Sequence, residues 1–129
     1  MAKLSKTQKK IDNTICKVLT DVCEQALKDY EGFAWITHQA DYANFPASLF
    51  VTCVFEREEH LSAIATNGVF DSLRKTIHAK LLKAGIKLMQ GHKQVNVDSE
   101  EACHLTHDGN WSERLNERKG RALSKSRPG

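Results

Sequence analysis

Residues 48–55, Ser-Leu-Phe-Val-Thr-Cys-Val-Phe, constrain the fold more than any other stretch of the chain. Successive side chains of an extended chain point to opposite faces. Leu49, Val51, Cys53 and Phe55 therefore share one face, and Phe50, Thr52 and Val54 the other. A strand that is apolar on both faces suits the interior of a sheet rather than its edge, so a central strand is expected here. The preceding segment 33–39, FAWITHQ, is aromatic and β-branched and predicts a partner strand. Between the two, Asn44-Phe45-Pro46 has turn chemistry. The pair is expected to form an antiparallel hairpin with a long loop.

The helices are signalled by a different period. From residue 5 to 31, Ile11, Ile15, Val18, Val22, Ala26 and Tyr30 recur at three- and four-residue steps, with Leu19, Cys23 and Leu27 widening the stripe. Ser5 followed three positions later by Gln8 fits a capping box, and Gly32 marks the far end. A shorter helix is expected over 56–65, on Leu61 and Ile64, broken at Thr66-Asn67-Gly68. Another is expected over 69–84, on Phe70, Leu73, Ile77, Leu81 and Ala84, stopping at Gly85. Loose alternation through Ile86, Leu88, Val95 and Val97 predicts a third strand, interrupted at Gln90-Gly91. Beyond Asp98 the pattern fades, with a helical turn over 113–118 near Trp111 and a basic tail over 119–129 that is expected to be disordered. The resulting expectation is an α+β domain over residues 1–97, in the order helix-strand-strand-helix-helix-strand. Its three-stranded sheet carries helices on one face, and residues 98–129 form a polar extension and tail.

Composition supports one packed core. Of 129 residues, 40 % are hydrophobic and 27 % charged, which excludes wholesale disorder. No stretch approaches the roughly 20 apolar residues of a membrane helix, and the lysine-bearing first ten residues lead into no apolar segment. Cys16, Cys23, Cys53 and Cys103 follow no disulfide-framework spacing. A reducing, cytoplasmic location is expected, with Cys16 and Cys23 buried in the stripe of the first helix.

Charge is segregated along the chain. Residues 1–10 carry four lysines and no acid, and residues 11–68 carry three bases against nine acids. Residues 69–93 then carry six bases against Asp71 alone, residues 94–117 one base against six acids, and the last twelve residues five bases. Alternating blocks of this kind present basic surfaces to a polyanion. On a helix centred on Ile77, Lys75 and Lys83 point away from the core, Arg74 and Lys80 flank it, and His78 lies between Arg74 and Lys75. The candidate nucleic-acid-binding set is therefore Asn67, Gly68, Arg74, Lys75, His78, Lys80, Lys83 and Lys87. The basic side chains would contact phosphates, and Asn67-Gly68 would let a backbone approach closely. Snorkelling Lys and Arg on a solvated helix account for the same pattern. Phe33, Trp35, Tyr42 and Phe45 are candidate base-stacking surfaces, or else core.

Other chemistry finds little support. Cys103-His104-Leu105-Thr106-His107-Asp108 has zinc-type ligands but no second short-spaced pair, leaving only Cys53, His60 or His92 to complete a site. Glu58 and Glu59 beside His60 do not face one another on a helix. No nucleophile motif or Gly-rich phosphate loop is present. Neither a metal, a cofactor nor an enzymatic activity is expected.

The element order, a Thr-Gln-Lys opening to the first helix, Gly32-Phe33 entering the first strand, SLFVTCVF as the second, and VFDSLRKTIHAKLL after the glycine break resemble type II KH domains. Within these they resemble the ribosome-binding factor A family, over residues 5–97. The family's Ala-x-Gly kink corresponds to Thr66-Asn67-Gly68, with Thr66 in place of Ala, and the GxxG loop of most KH domains is absent. This resemblance implies contact with structured RNA, such as ribosomal RNA, through the helix pair at the kink and the basic third helix. Ser72-Leu73-Arg74-Lys75 through Lys83-Ala84-Gly85-Ile86 also resembles the recognition helix of Fis-family DNA-binding proteins, which implies duplex DNA as the partner. A protein-interaction module without nucleic acid is the third expectation.

Overall fold

The structure, a computed structural model, describes residues 5–117. The lysine at position 3 and the tail over 119–129, both counted among the basic surfaces above, lie outside the described residues.

The first helix, α1 (Lys6–Asp29), begins where its sequence predicts. The Ser5 Oγ accepts the Gln8 N–H at 3.1 Å, and the Ser5 N–H donates to Gln8 Oε1 at 2.9 Å. Its buried side is Ile15, Leu19, Val22 and Ala26, a stripe narrower than the apolar pattern suggests. Cys16 is therefore exposed and Cys23 only half-buried, in place of the burial expected for both. Each sits one residue past a buried position, and one residue turns the side chain by about 100°.

Strand β1 (Phe33–Gln39) matches its expected bounds. A 3₁₀ turn over Tyr42–Asn44 follows, and then β2 (Phe50–Phe55). The second strand starts two residues later than the sequence suggests because Ser48 is committed to the loop. Its Oγ accepts the Asp41 N–H at 2.9 Å and donates to the Asp41 carbonyl at 2.7 Å. The hairpin is antiparallel, with Ile36 opposite Cys53 and His38 opposite Val51.

Two helices follow, α2 (Glu58–Asn67) and α3 (Val69–Lys83), separated by Gly68 alone at φ +83°. The chain then returns through a short helical turn, α4 (Gly91–Gln94), to β3 (Val95–Ser99), which lies parallel to β2. The sheet order is β1-β2-β3, so β2 is central as its two apolar faces require. The expected third strand over 86–97 is corrected to residues 95–99. Ile86 and Leu88 are buried without pairing, and Gln94, 5 % exposed, fills the gap instead. The Gln94 Nε2 donates to the Pro46 and Leu49 carbonyls at 2.9 and 2.8 Å, while its Oε1 accepts the Gln90 N–H at 2.6 Å. A loop closed by one buried amide satisfies backbone groups that a strand would otherwise pair.

One face of the sheet, through Val51, Cys53, Phe55 and Val95, joins a core with Ile15, Leu19, Val22, Ile64, Leu73, Ile77 and Leu81 of α1, α2 and α3. These three helices on one face agree with expectation. The boundary at residue 97 falls inside β3. The chain beyond it forms α5 (Glu100–His107), and residues 111–117 are helical as well. This segment lies over the opposite face, where Trp35, Val54 and Asp98 share a register. The Trp35 and Trp111 rings meet edge to face at 4.8 Å, and both indole N–H groups donate to Glu100 Oε1, at 2.8 and 2.7 Å. Arg114 clamps Asp98, with Nε to Oδ2 at 2.7 Å and Nη2 to Oδ1 at 2.9 Å. The start of α5 also clamps α2, since Glu101 Oε1 accepts the Glu58 N–H at 2.8 Å. The polar segment is thus an integral cover of the sheet, and the helical turn expected over 113–118 is present over 113–117, residue 118 lying outside the described residues.

Candidate nucleic-acid interface

The candidate residues are positioned by one helix and the junction before it. Leu73, Ile77 and Leu81 bury one side of α3, which forces the residues between them outward. Lys75, Lys80, Lys83 and Lys87 are exposed, and His78 is half-buried. At the junction Asn67 and Gly68 are exposed, and the Asn67 Oδ1 accepts the Val69 N–H at 3.0 Å. Gly68 takes a left-handed conformation, which disfavours any residue with a Cβ, although the space around it is open. An open, side-chain-free turn beside a basic helix is a place where a phosphate backbone can approach.

The cations are unequal. Lys75 Nζ pairs with Asp71 and Lys80 Nζ with Asp21 of α1, both at 3.2 Å. All four side chains are well exposed, so these pairs are weak. Among the described residues Lys83 and Lys87 make no such pair. Arg74 behaves differently from the expectation that it flanks the core ready for a phosphate. Its guanidinium lies 4.4 Å from the centroid of the Phe70 ring, one turn back, and its Nε is buried without a hydrogen-bond partner. The N-terminus of α3 carries Asp71 in its first turn, which offsets the positive end of the helix dipole. The exposed positive charge of α3 accordingly lies on the Lys75, Lys80 and Lys83 side rather than at the helix start.

The candidate stacking aromatics are engaged within the fold. Phe33 is buried against Phe55, edge to face at 5.2 Å. Tyr42 and Phe45 pack on the core with ring centroids 5.3 Å apart, and Trp35 packs on Trp111. His60, considered beside two glutamates, has a structural role. Its Nδ1 accepts the Arg57 N–H at 3.1 Å, and its ring lies so close over Gly32 that a Cβ there would fall about 2.4 Å from it.

The zinc-type cluster at 103–108 does not assemble. Cys103 is buried, His104 is exposed, and His107 Nε2 lies 2.8 Å from Glu117 Oε2. Of its expected completions, Cys53 is in the core and His60 on Gly32, and the side chain of His92 lies outside what the structure describes. Sequence reasoning missed a different convergence, Asp12, Cys16 and His38, whose ligand atoms lie within 4.8 Å of one another. The signal available was Asp12 and Cys16 one helical turn apart on α1, but His38 enters only through the packing of β1 on that helix. A shallow surface depression lies along α1, lined by Cys16, Lys17, Val18, Thr20, Asp21 and Glu24, and Asp21 is also the partner of Lys80 on α3.

No protein-family model matches the chain, and comparison with curated proteins and with solved structures found no match. No helix among the described residues is long and apolar enough to cross a membrane.

Proposed function

We propose that the chain is a non-enzymatic, cytoplasmic RNA-binding or ribosome-associated protein that contacts structured RNA through α3. The observation that carries this reading is the set of exposed amines at Lys75, Lys80 and Lys83 of α3 and Lys87 just beyond it, beginning about two turns past the open junction at Asn67-Gly68. Side chains of this kind position a phosphate backbone without reading its sequence. The shape of the α2–α3 junction favours the KH-like resemblance over the Fis-like one. One residue separates the helices, whereas a helix-turn-helix joins its helices through a turn of about three to four residues.

The test is binding of the chain to structured RNA, single-stranded RNA and duplex DNA of matched length at two salt concentrations. Structured RNA is expected to bind tightest, with log affinity falling linearly with log salt. Lys75→Glu with Lys83→Glu is expected to lower affinity more than about tenfold and to flatten the salt slope by roughly 1.5, as two phosphate contacts are lost. Unchanged affinity in the double variant rejects α3 as the contact. Preference for duplex DNA moves the reading to a Fis-like regulator, and absence of binding to all three moves it to a protein-interaction module.

A further inference from the structure

Three side chains of different donor type converge where β1 crosses the first half of α1. Asp12 and Cys16 stand one turn apart on the helix, and His38 reaches them from the strand. The Asp12 Oδ1 is already oriented by two hydrogen bonds, from the Tyr42 hydroxyl at 2.6 Å and from His38 Nε2 at 2.8 Å. Those two bonds, Tyr42 first, hold the Asp12 carboxyl below its ordinary value, so it is a carboxylate at neutral pH. Tyr42 in turn packs on Phe45 and the core, which fixes the hydroxyl that positions the carboxylate. Cys16 is exposed as a residue and borders the depression along α1, while Asp12 and His38 are partly sheltered.

We propose that Asp12, Cys16 and His38 form an open Zn²⁺ site with Tyr42 as its outer-shell support. Thiolate, imidazole and carboxylate together suit zinc, and three protein ligands leave the fourth tetrahedral position for water or an anionic ligand. Tetrahedral ligation at about 2.0–2.3 Å needs donor atoms roughly 3.3–3.8 Å apart. The donors here lie within 4.8 Å, and the His38–Asp12 pair at 2.8 Å must open slightly as the ion replaces their shared hydrogen. The exposed Cys16 side chain supplies the remaining closure by rotation about its χ1. On binding, the Cys16 thiol loses its proton to the buffer. His38 shifts its proton from Nε2 to Nδ1, so Nε2 becomes the ligand atom. Tyr42 keeps its hydrogen bond to Asp12, the arrangement by which outer-shell donors hold a ligating carboxylate. The site lies on α1 and β1, and its test involves no nucleic acid.

Titration of the full chain, free of any affinity tag and in reduced form, with Co²⁺ and then Zn²⁺ tests the site. One equivalent of Co²⁺ is expected to give the intense visible bands of a tetrahedral ion and a near-ultraviolet thiolate charge-transfer band, both removed by one equivalent of Zn²⁺. Cys16→Ser is expected to abolish the charge-transfer band and weaken Zn²⁺ binding at least about 100-fold, and Asp12→Asn and His38→Gln to weaken it by a similar factor. Tyr42→Phe, which keeps the ring packing, is expected to cost about 10- to 100-fold. Cys23→Ser, on the same helix, is expected to change nothing. Far-ultraviolet circular dichroism separates loss of a ligand from loss of the fold. A charge-transfer band that survives Cys16→Ser, or that disappears in Cys23→Ser, overturns the proposal. So does binding without any sulfur band, or binding only at millimolar ion.

Discussion

The two faces of the sheet are held by different means. On one, Val51, Cys53, Phe55 and Val95 meet α1, α2 and α3 through a continuous cluster of aliphatic and aromatic side chains. On the other, α5 and residues 111–117 are attached through a few directed bonds, with Glu100 shared by two indoles and Asp98 gripped by Arg114. The first face gains its stability from area removed from water and spreads it over many residues. The second concentrates it in partners that cannot be replaced singly, because a buried polar group that loses its partner costs more than the bond contributed.

Substitutions can break that contrast. Phe55→Ala removes the largest fully buried side chain of the first face and is expected to cost about 4 kcal/mol in a urea unfolding curve. A loss below about 1 kcal/mol would show that the site collapses and that the core is not close-packed there. Arg114→Ala is expected to cost about 3 kcal/mol, because Asp98 is only 3 % exposed and would lose both bonds to the guanidinium. Pairing Arg114→Leu with Asp98→Leu should recover much of that loss. If the pair of changes is as costly as the sum of the singles, the ion pair is not what fastens this cover.

Smaller effects sharpen the comparison. Trp111→Phe keeps an aromatic edge against Trp35 but deletes one of the two donors to Glu100, with an expected cost of about 1.5 kcal/mol. A matching change at Trp35 should be non-additive with it, since both indoles share one oxygen. Thiol labelling then compares the faces without altering stability. Cys53 is buried on the first face and Cys103 in the C-terminal cover, and burial pushes the thiol of each above its ordinary value. Cys103 is expected to label through local opening of the cover, faster than Cys53, which should wait for global unfolding. Equal rates for the two would mean that both faces open as one cooperative unit.

These differences in attachment follow how far each part could be read along the chain. Helix α1 and its capping box, the hairpin, the central place of β2 and the break at Gly68 are all visible as local patterns, because period and turn chemistry act over a few residues. Residues 98–117 show no period to read. Their structure depends on Glu100, Trp111 and Arg114 finding Trp35 and Asp98, and Trp35 lies 65 positions from Glu100 along the chain. The third strand was displaced for a related reason. Alternation in Ile86 and Leu88 looks like a strand, but Gln94 supplies from its side chain the bonds that would have come from pairing. At the candidate interface the exposure of Lys75, Lys80 and Lys83 follows from helical geometry. The retreat of Arg74 onto Phe70 depends on side-chain packing that sequence spacing does not specify.

By itself the sequence determined an α+β chain with a central two-faced strand, an amphipathic first helix, a glycine break and a basic helix after it. Each is set by side-chain periodicity or by backbone freedom at one residue. Only the tertiary structure decided that β3 runs parallel to β2 and that the polar segment closes the second face of the sheet. It also decided that Cys16 looks outward, beside Asp12 and His38. Those outcomes rest on contacts between residues far apart in the chain, where the partner's position, not the residue's own preference, sets what a side chain can do.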